Sequence, residues 1–145
     1  SKGLNSLKIL PDDSFDLIYS QAVLEHVRRD EFSETIRQCR RLLKPNGVMS
    51  HVVDFKDHLG GGLNNLRISS GLWEQNWFAF KSNFYTNRLR FSEVVKICED
   101  SGFTLKTAKV SRYEVTPIQR EKLASEFSRL SDDDLSISEV HLVMY

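Results

Sequence analysis

The strongest constraint on this chain is a change of apolar period, from strand to helix and back to strand, within roughly forty residues near its start. Phe15-Asp16-Leu17-Ile18-Tyr19-Ser20 is a short run with apolar residues on both faces, and the turn residues Pro11-Asp12-Asp13-Ser14 precede it. Such a run suits a strand of a parallel sheet, which is covered on both sides. From Asp30 the period lengthens: Phe32, Ile36, Cys39 and Leu43 recur every three to four residues and make one apolar helical face. Asp30 is placed to cap that helix, with Glu31 in its first turn. Arg40, Arg41 and Lys44 suit the negative end of its dipole, and Pro45-Asn46-Gly47 is placed to stop it. Val48-Met49-Ser50-His51-Val52-Val53 follows as a second strand. Two strands joined through a helix run parallel by a right-handed crossover, so the chain is expected to be α/β.

The remainder extends the alternation less cleanly. Between Asp54 and Arg90 strand signals are lacking, and this stretch is read as a variable insert at 54–90. It holds Gly60-Gly61-Gly62 and then Trp73, Trp77, Phe80 and Phe84, whose spacing predicts an aromatic face on one helix, either packed on the sheet or forming a lid over a substrate pocket. Ser92 is expected to cap a helix carrying Val94, Val95, Ile97 and Cys98, which Gly102 would terminate in a left-handed conformation. A third strand is expected over 103–113. Thr116-Pro117-Ile118-Gln119 combines a capping box with proline at the first helical position, predicting a helix through Leu123, Phe127 and Leu130. Ser131-Asp132-Asp133-Asp134 reads as a solvated loop. The end alternates, with Ser138, Val140, Leu142 and Met144 on one face and Glu139, His141 and Val143 on the other, as in a half-buried strand.

At 145 residues the chain is expected to form a single domain over 1–145 around one core. Lys plus Arg equal Asp plus Glu at 20 each, so nothing in the charge favours nucleic acid as a partner. Cys39 and Cys98 lack the spacing of a zinc or redox motif and are expected to be buried free thiols. No run is apolar enough to span a bilayer, so a cytoplasmic protein without a membrane span is expected. The first residue is Ser1 rather than methionine, from which we expect a piece of something longer.

Three segments, in this order and spacing, resemble one known family. Leu10-Pro11-Asp12-Asp13-Ser14-Phe15-Asp16-Leu17-Ile18 is similar to the approach to the fourth strand of class I S-adenosylmethionine-dependent methyltransferases. Ala22-Val23-Leu24-Glu25-His26-Val27 is similar to the segment after that strand, and Leu42-Leu43-Lys44-Pro45-Asn46-Gly47-Val48 to the turn before the fifth. The pattern is that of the ubiquinone-biosynthesis-type, or methyltransferase type 11, group. It covers most of residues 8 to 53, with 92–103 a weaker continuation. The resemblance implies the C-terminal half of a Rossmann-like sheet in the order 4-5-7-6, its last strand antiparallel and inserted between the second and third seen here. It also implies S-adenosylmethionine as the cofactor of a parent enzyme. The family's glycine-rich loop after the first strand is not in this sequence, and Gly60-Gly61-Gly62 does not replace it, because it follows the second strand read here. The isolated chain is therefore expected to be inactive and not to hold the cofactor.

The same resemblance implies which residues form the remaining wall of the site. Ser20 and Gln21 would pass near the methionine moiety of the cofactor, with Glu25 and His26 in the turn that follows. A structural role is the alternative for the last two, Glu25 orienting backbone amides and His26 making a local hydrogen bond. Read from the residues alone, His51, Asp54, Asp57 and His58 gather at the end of the second strand, where Asp54 or His58 is a candidate base if the acceptor is a hydroxyl. Asp54, Asp57 and His58 could also hold a divalent metal, but no metal site is assigned. Strand alternation separates His51 and Val53 from Val52 and Asp54, so the four need not converge. The methyl acceptor is not legible. A competing reading is a noncatalytic or truncated module that self-associates as a homodimer through the bare edge at 15–20. A redox enzyme on a dinucleotide fold shares the sheet but explains the three motifs less well.

Overall fold

The computed structural model describes residues 2–145, with side chains from residue 3 onward; Ser1 lies outside the described residues. Four strands form one sheet in the order β1-β2-β4-β3: β1 Phe15–Gln21, β2 Leu43–Asp54, β3 Leu105–Arg112 and β4 Ile137–Met144. β1 and β2 are parallel, with Ser20 opposite His51, while β4 runs antiparallel between β2 and β3. This is the order and direction expected for the C-terminal half of the Rossmann-like sheet. β1 lies at the edge, and Leu17 and Tyr19 on it are 52% and 75% exposed.

The helix α2, Arg29–Leu42, crosses from β1 to β2 and buries Phe32, Ile36, Cys39 and Leu42. Its start and stop differ from expectation. The capping position is Arg28, whose carbonyl accepts from the amide of Glu31, so Asp30 and Glu31 lie inside the first turn and act on the dipole instead. The helix ends at Leu42, and Lys44 and Pro45-Asn46-Gly47 belong to the irregular start of β2, where pairing with β1 slips between Phe15 and Leu17. Gly47 is required there by contact: a Cβ would lie 2.9 Å from Leu43 Cδ2 and 3.0 Å from the Lys44 carbonyl. α2 also packs against α5, Phe91–Asp100, with Cys39 and Cys98 in one core, and a short α1, Lys2–Lys8, packs beside it. Gly102 ends α5 with φ +90°, as expected.

Further expectations fail where distant parts of the chain compete for the same groups. The aromatic helix is broken into α3, Ser70–Trp73, and α4, Asn76–Lys81, by an extended Gln75. Trp73 is fully buried and donates its indole N–H to the Thr86 carbonyl at 2.7 Å, whereas Trp77, Phe80 and Phe84 are exposed. No helix runs from Thr116 to Leu130. The segment holds two 3-10 turns, Arg120–Lys122 and Ser125–Phe127, separated by an extended Ala124 whose amide donates to Leu66 at 2.9 Å. Leu123, Phe127 and Leu130 still reach a core, the second one, with Leu63, Leu66 and Leu135. Ser131-Asp132-Asp133-Asp134 begins a helix instead of a loop: Ser131 caps a short α6, Asp132–Ser136, by accepting from the Asp134 amide, and Asp134 is buried while Asp132 and Asp133 are exposed as expected. Its carboxylate accepts from the Ser92 amide at 3.0 Å and hydroxyl at 2.6 Å. Ser92 therefore sits inside the first turn of α5, and the capping position is Arg90, whose amide donates to Glu93 at 3.1 Å.

Candidate functional site at the carboxyl ends of the parallel strands

Ligands of open α/β sheets bind beyond the carboxyl ends of the parallel strands. Here those ends are Gln21 and Asp54. β1 stops abruptly: Ala22 adopts φ +51° while its amide donates to the Val52 carbonyl at 3.0 Å. A left-handed residue with a Cβ costs about 1 kcal/mol, and the tie to β2 holds it there. The chain then forms the 3-10 turn Leu24–His26. Asn87 clamps that turn from the far side of the insert. Its side chain donates to the carbonyls of Leu24 at 2.8 Å and Val27 at 3.0 Å, and its amide donates to Glu25 at 2.7 Å. No local pattern around Asn87 announced this role.

The residues expected to bind cofactor fall into distinct positions. Gln21 is exposed at the strand end. Ser20 is half-buried and its hydroxyl lies 2.6 Å from His51 Nδ1, so its remaining lone pairs are what it can offer a ligand. His51 is buried, its Nε2 has no partner, and burial pulls its pKa down to about 4. Glu25 is sealed from solvent with both carboxylate oxygens unpartnered. Burial raises its pKa, and Asp54 nearby adds to that rise while His26 opposes it. His26 is exposed, and its Nδ1 lies 3.1 Å from the Tyr85 carbonyl. A carbonyl only accepts, so Nδ1 is the donor, and in the neutral ring Nε2 is the acceptor.

The expected cluster of His51, Asp54, Asp57 and His58 at the end of β2 is divided among separate partners. The rings of His26 and His58 stand 5.0 Å apart. Asp54 is engaged by Lys56, whose amide and ammonium approach it at 2.8 and 3.0 Å. Asp57 points inward: its carboxylate accepts from the amides of Leu59, Gly62 and Asn64 and holds the Gly60-Gly61-Gly62 loop closed. That use of both oxygens leaves it unavailable as a ligand or base, and among the described residues no group of three metal-binding side chains gathers. His51 is turned into the core, as strand alternation implied. Cys39 and Cys98 are buried free thiols, their pKa values pushed up by burial to about 11 and about 12.

Comparison with known proteins agrees with this architecture. The family model described as a methyltransferase domain matches residues 4–50. An S-adenosylmethionine-dependent methyltransferase from Mesorhizobium loti superposes with TM-score 0.54 at 18% identity, over 93% of this chain and 63% of its own. One from Archaeoglobus fulgidus gives 0.55 at 14%, over 99% and 65%, and one from Methanosarcina mazei 0.55 at 17%, over 94% and 61%. No curated protein sequence matches the chain. The chain thus has the fold of the C-terminal part of a class I S-adenosylmethionine-dependent methyltransferase, and it spans less than two thirds of the length of these solved structures. No helix among the described residues is long and apolar enough to cross a membrane.

Proposed function

We propose that this chain is the C-terminal part of a cytoplasmic methyltransferase that uses S-adenosylmethionine, and that the carboxyl ends of β1 and β2 form one wall of its site. The observation that carries this reading is the bend at Ala22, which leaves exposed Gln21, half-buried Ser20 and the free Nε2 of His26 beyond the end of a parallel strand. Gln21 and Ser20 fit the polar methionine end of the cofactor, and His26 stands further out, toward an acceptor. Glu25 fits a supporting role, since no ligand reaches its sealed carboxylate. When bound, the cofactor supplies a sulfonium methyl for in-line displacement, and the task of the chain is to position the acceptor and receive its proton. The isolated chain would bind cofactor weakly, having only this wall. Calorimetric titration with S-adenosylhomocysteine tests the reading. We expect no stoichiometric binding to this chain and one-to-one binding to a version extended upstream, weakened by Gln21→Ala. Failure of the extended chain to bind would remove the reading; tight binding by this chain alone would remove the incompleteness.

A second reading is favoured by β1 itself. Its free edge with exposed Leu17 and Tyr19 suits pairing with another copy. Light scattering would then show a dimer that Tyr19→Lys dissociates; a monomer at all concentrations removes it.

A further inference from the structure

Between α1, the first turn of α2, and α4 lies a cavity of about 620 Å³, a volume that suits a small organic molecule. Leu4, Leu7, Val23, Val27 and Phe80 supply apolar walls, with the Tyr85 ring alongside. Two features restrict what it can hold. The first is charge. Arg28 lines the cavity, stacked 5.2 Å from the Tyr85 ring and 5.9 Å from that of Phe80. Its charge faces Asp30 and Glu74, each 3.8 Å away, while its sealed Nη1 has no hydrogen-bond partner, and Glu31 lines the same space. With Arg28 facing two carboxylates, the wall has no surplus positive charge for a carboxylate ligand, and the apolar walls disfavour a desolvated ammonium, so an uncharged molecule fits. The second is hydrogen bonding. His26 is also in the wall, and with its Nδ1 donating to the Tyr85 carbonyl, Nε2 is the acceptor of its neutral ring.

We propose that this cavity binds an uncharged, largely apolar molecule carrying one hydroxyl, whose O–H donates to Nε2 of His26. The inference rests on the methyl-transfer reading only in what it makes of that molecule, namely the methyl acceptor. The nitrogen that holds the hydroxyl is then also placed to take its proton. This assigns to His26 the role that the sequence suggested for Asp54 or His58, the first of which is occupied by Lys56.

The test uses this chain, isotopically labelled, with 2-naphthol as the probe and naphthalene and 2-naphthoate as comparisons. 2-Naphthol should saturate shifts at Val23, Val27 and Phe80, and bind about fivefold more tightly than naphthalene, the value of one neutral hydrogen bond. 2-Naphthoate should bind more weakly than either. The Nε2 resonance of His26 should move on adding 2-naphthol, which a merely structural histidine would not show. His26→Leu, at an exposed position, should keep the amide spectrum and lose the preference for 2-naphthol over naphthalene. No saturable binding, tighter binding of 2-naphthoate, or an unmoved Nε2 resonance would each overturn the proposal. None of these readouts needs cofactor, so loss of the methyl-transfer reading through S-adenosylhomocysteine titration would leave the ligand site standing, and the reverse also holds.

Discussion

The two cores of this molecule are built differently. Around the sheet, α2 and α5 bury Phe32, Ile36, Cys39, Val94 and Cys98 against Met49, Val53, Val140 and Leu142, and the buried polar side chains there are few: Glu25, His51, Asn87 and Ser138. The second core, under the 54–90 insert and the 113–136 segment, is small and apolar at its centre but accompanied by Asp57, Asn65, Thr86, Arg88, Arg90 and Asp134, all buried. In the first region apolar area sets the structure. In the second, side chains reach across the sequence to satisfy irregular backbone. Arg88 shows the pattern: its guanidinium lies between the rings of Trp73 and Phe127, at 4.9 and 4.8 Å, and donates to the carbonyls of Asn65 and Ile68. One region is held by many weak equivalent contacts, the other by a few irreplaceable ones.

The largest expected effect follows from Arg90, which joins the two regions. It is buried and donates to the carbonyls of Phe55 at 2.9 Å, Ile137 at 2.6 Å and Asp134 at 2.8 Å. Arg90→Met leaves three buried carbonyls unpaired and should cost about 4 kcal/mol in urea unfolding. Arg90→Lys should recover less than half, because an ammonium lacks the planar fork that reaches separate carbonyls together. Ile36→Val, in the apolar core, should cost about 1 kcal/mol. Equal costs for Arg90→Met and Ile36→Val would erase the distinction between the regions.

The same contrast explains how much could be read from the sequence. The strand, helix and strand over 15–53 and the alternation at 138–144 were legible because apolar periodicity causes them, and the sheet order followed from the family resemblance. Gln21 and His26 were expected at and just after the strand end by that resemblance, and they lie there. What was misread lies where a distant partner overrides local preference. Thr116-Pro117-Ile118-Gln119 carries a sound helix start, yet the Ala124 amide is taken by Leu66 and the helix does not form. Ser92 is a good cap by type, yet Asp134 claims both its amide and its hydroxyl. Asn87 and Tyr85, which fix the turn at 24–27 and the ring of His26, sit some sixty residues from it, beyond the reach of any local pattern.

A second prediction probes the polar exception inside the apolar region. Burial lowers the pKa of His51 from 6.5 to about 4, so the folded state keeps the ring neutral while the unfolded chain protonates it first. The stability is therefore fully present above pH 6.5 and is lost as pH falls from 6.5 toward 4, by up to about 3 kcal/mol. Glu25 acts in the opposite sense, since its raised pKa relieves a buried charge as pH falls. The difference between the wild type and His51→Gln isolates the histidine. Unfolding free energies measured at pH 7 and 4.5 should fall more steeply for the wild type; parallel profiles would show that the Ser20–His51 pair is hydrated rather than buried.

The smallest effect concerns Ser131, where a local signal operates inside the non-local region. Its hydroxyl accepts from the Asp134 amide at 3.0 Å, a cap that should lose about 1 kcal/mol in Ser131→Ala. The cap also fixes the residue whose carboxylate holds Ser92, so the loss should not stay local. In a double-mutant cycle Ser131→Ala and Ser92→Ala should be coupled by at least about 0.5 kcal/mol, the level at which neighbouring sites cease to be independent. Native-state hydrogen exchange should then quicken at the first turn of α5 as well as in α6, while β2 amides keep their protection. If α6 alone loosened, the Asp134 bridge would be a consequence of packing and not a link. The polar side chains that accompany the second core would then act piecewise, each joining two segments without transmitting strain to a third.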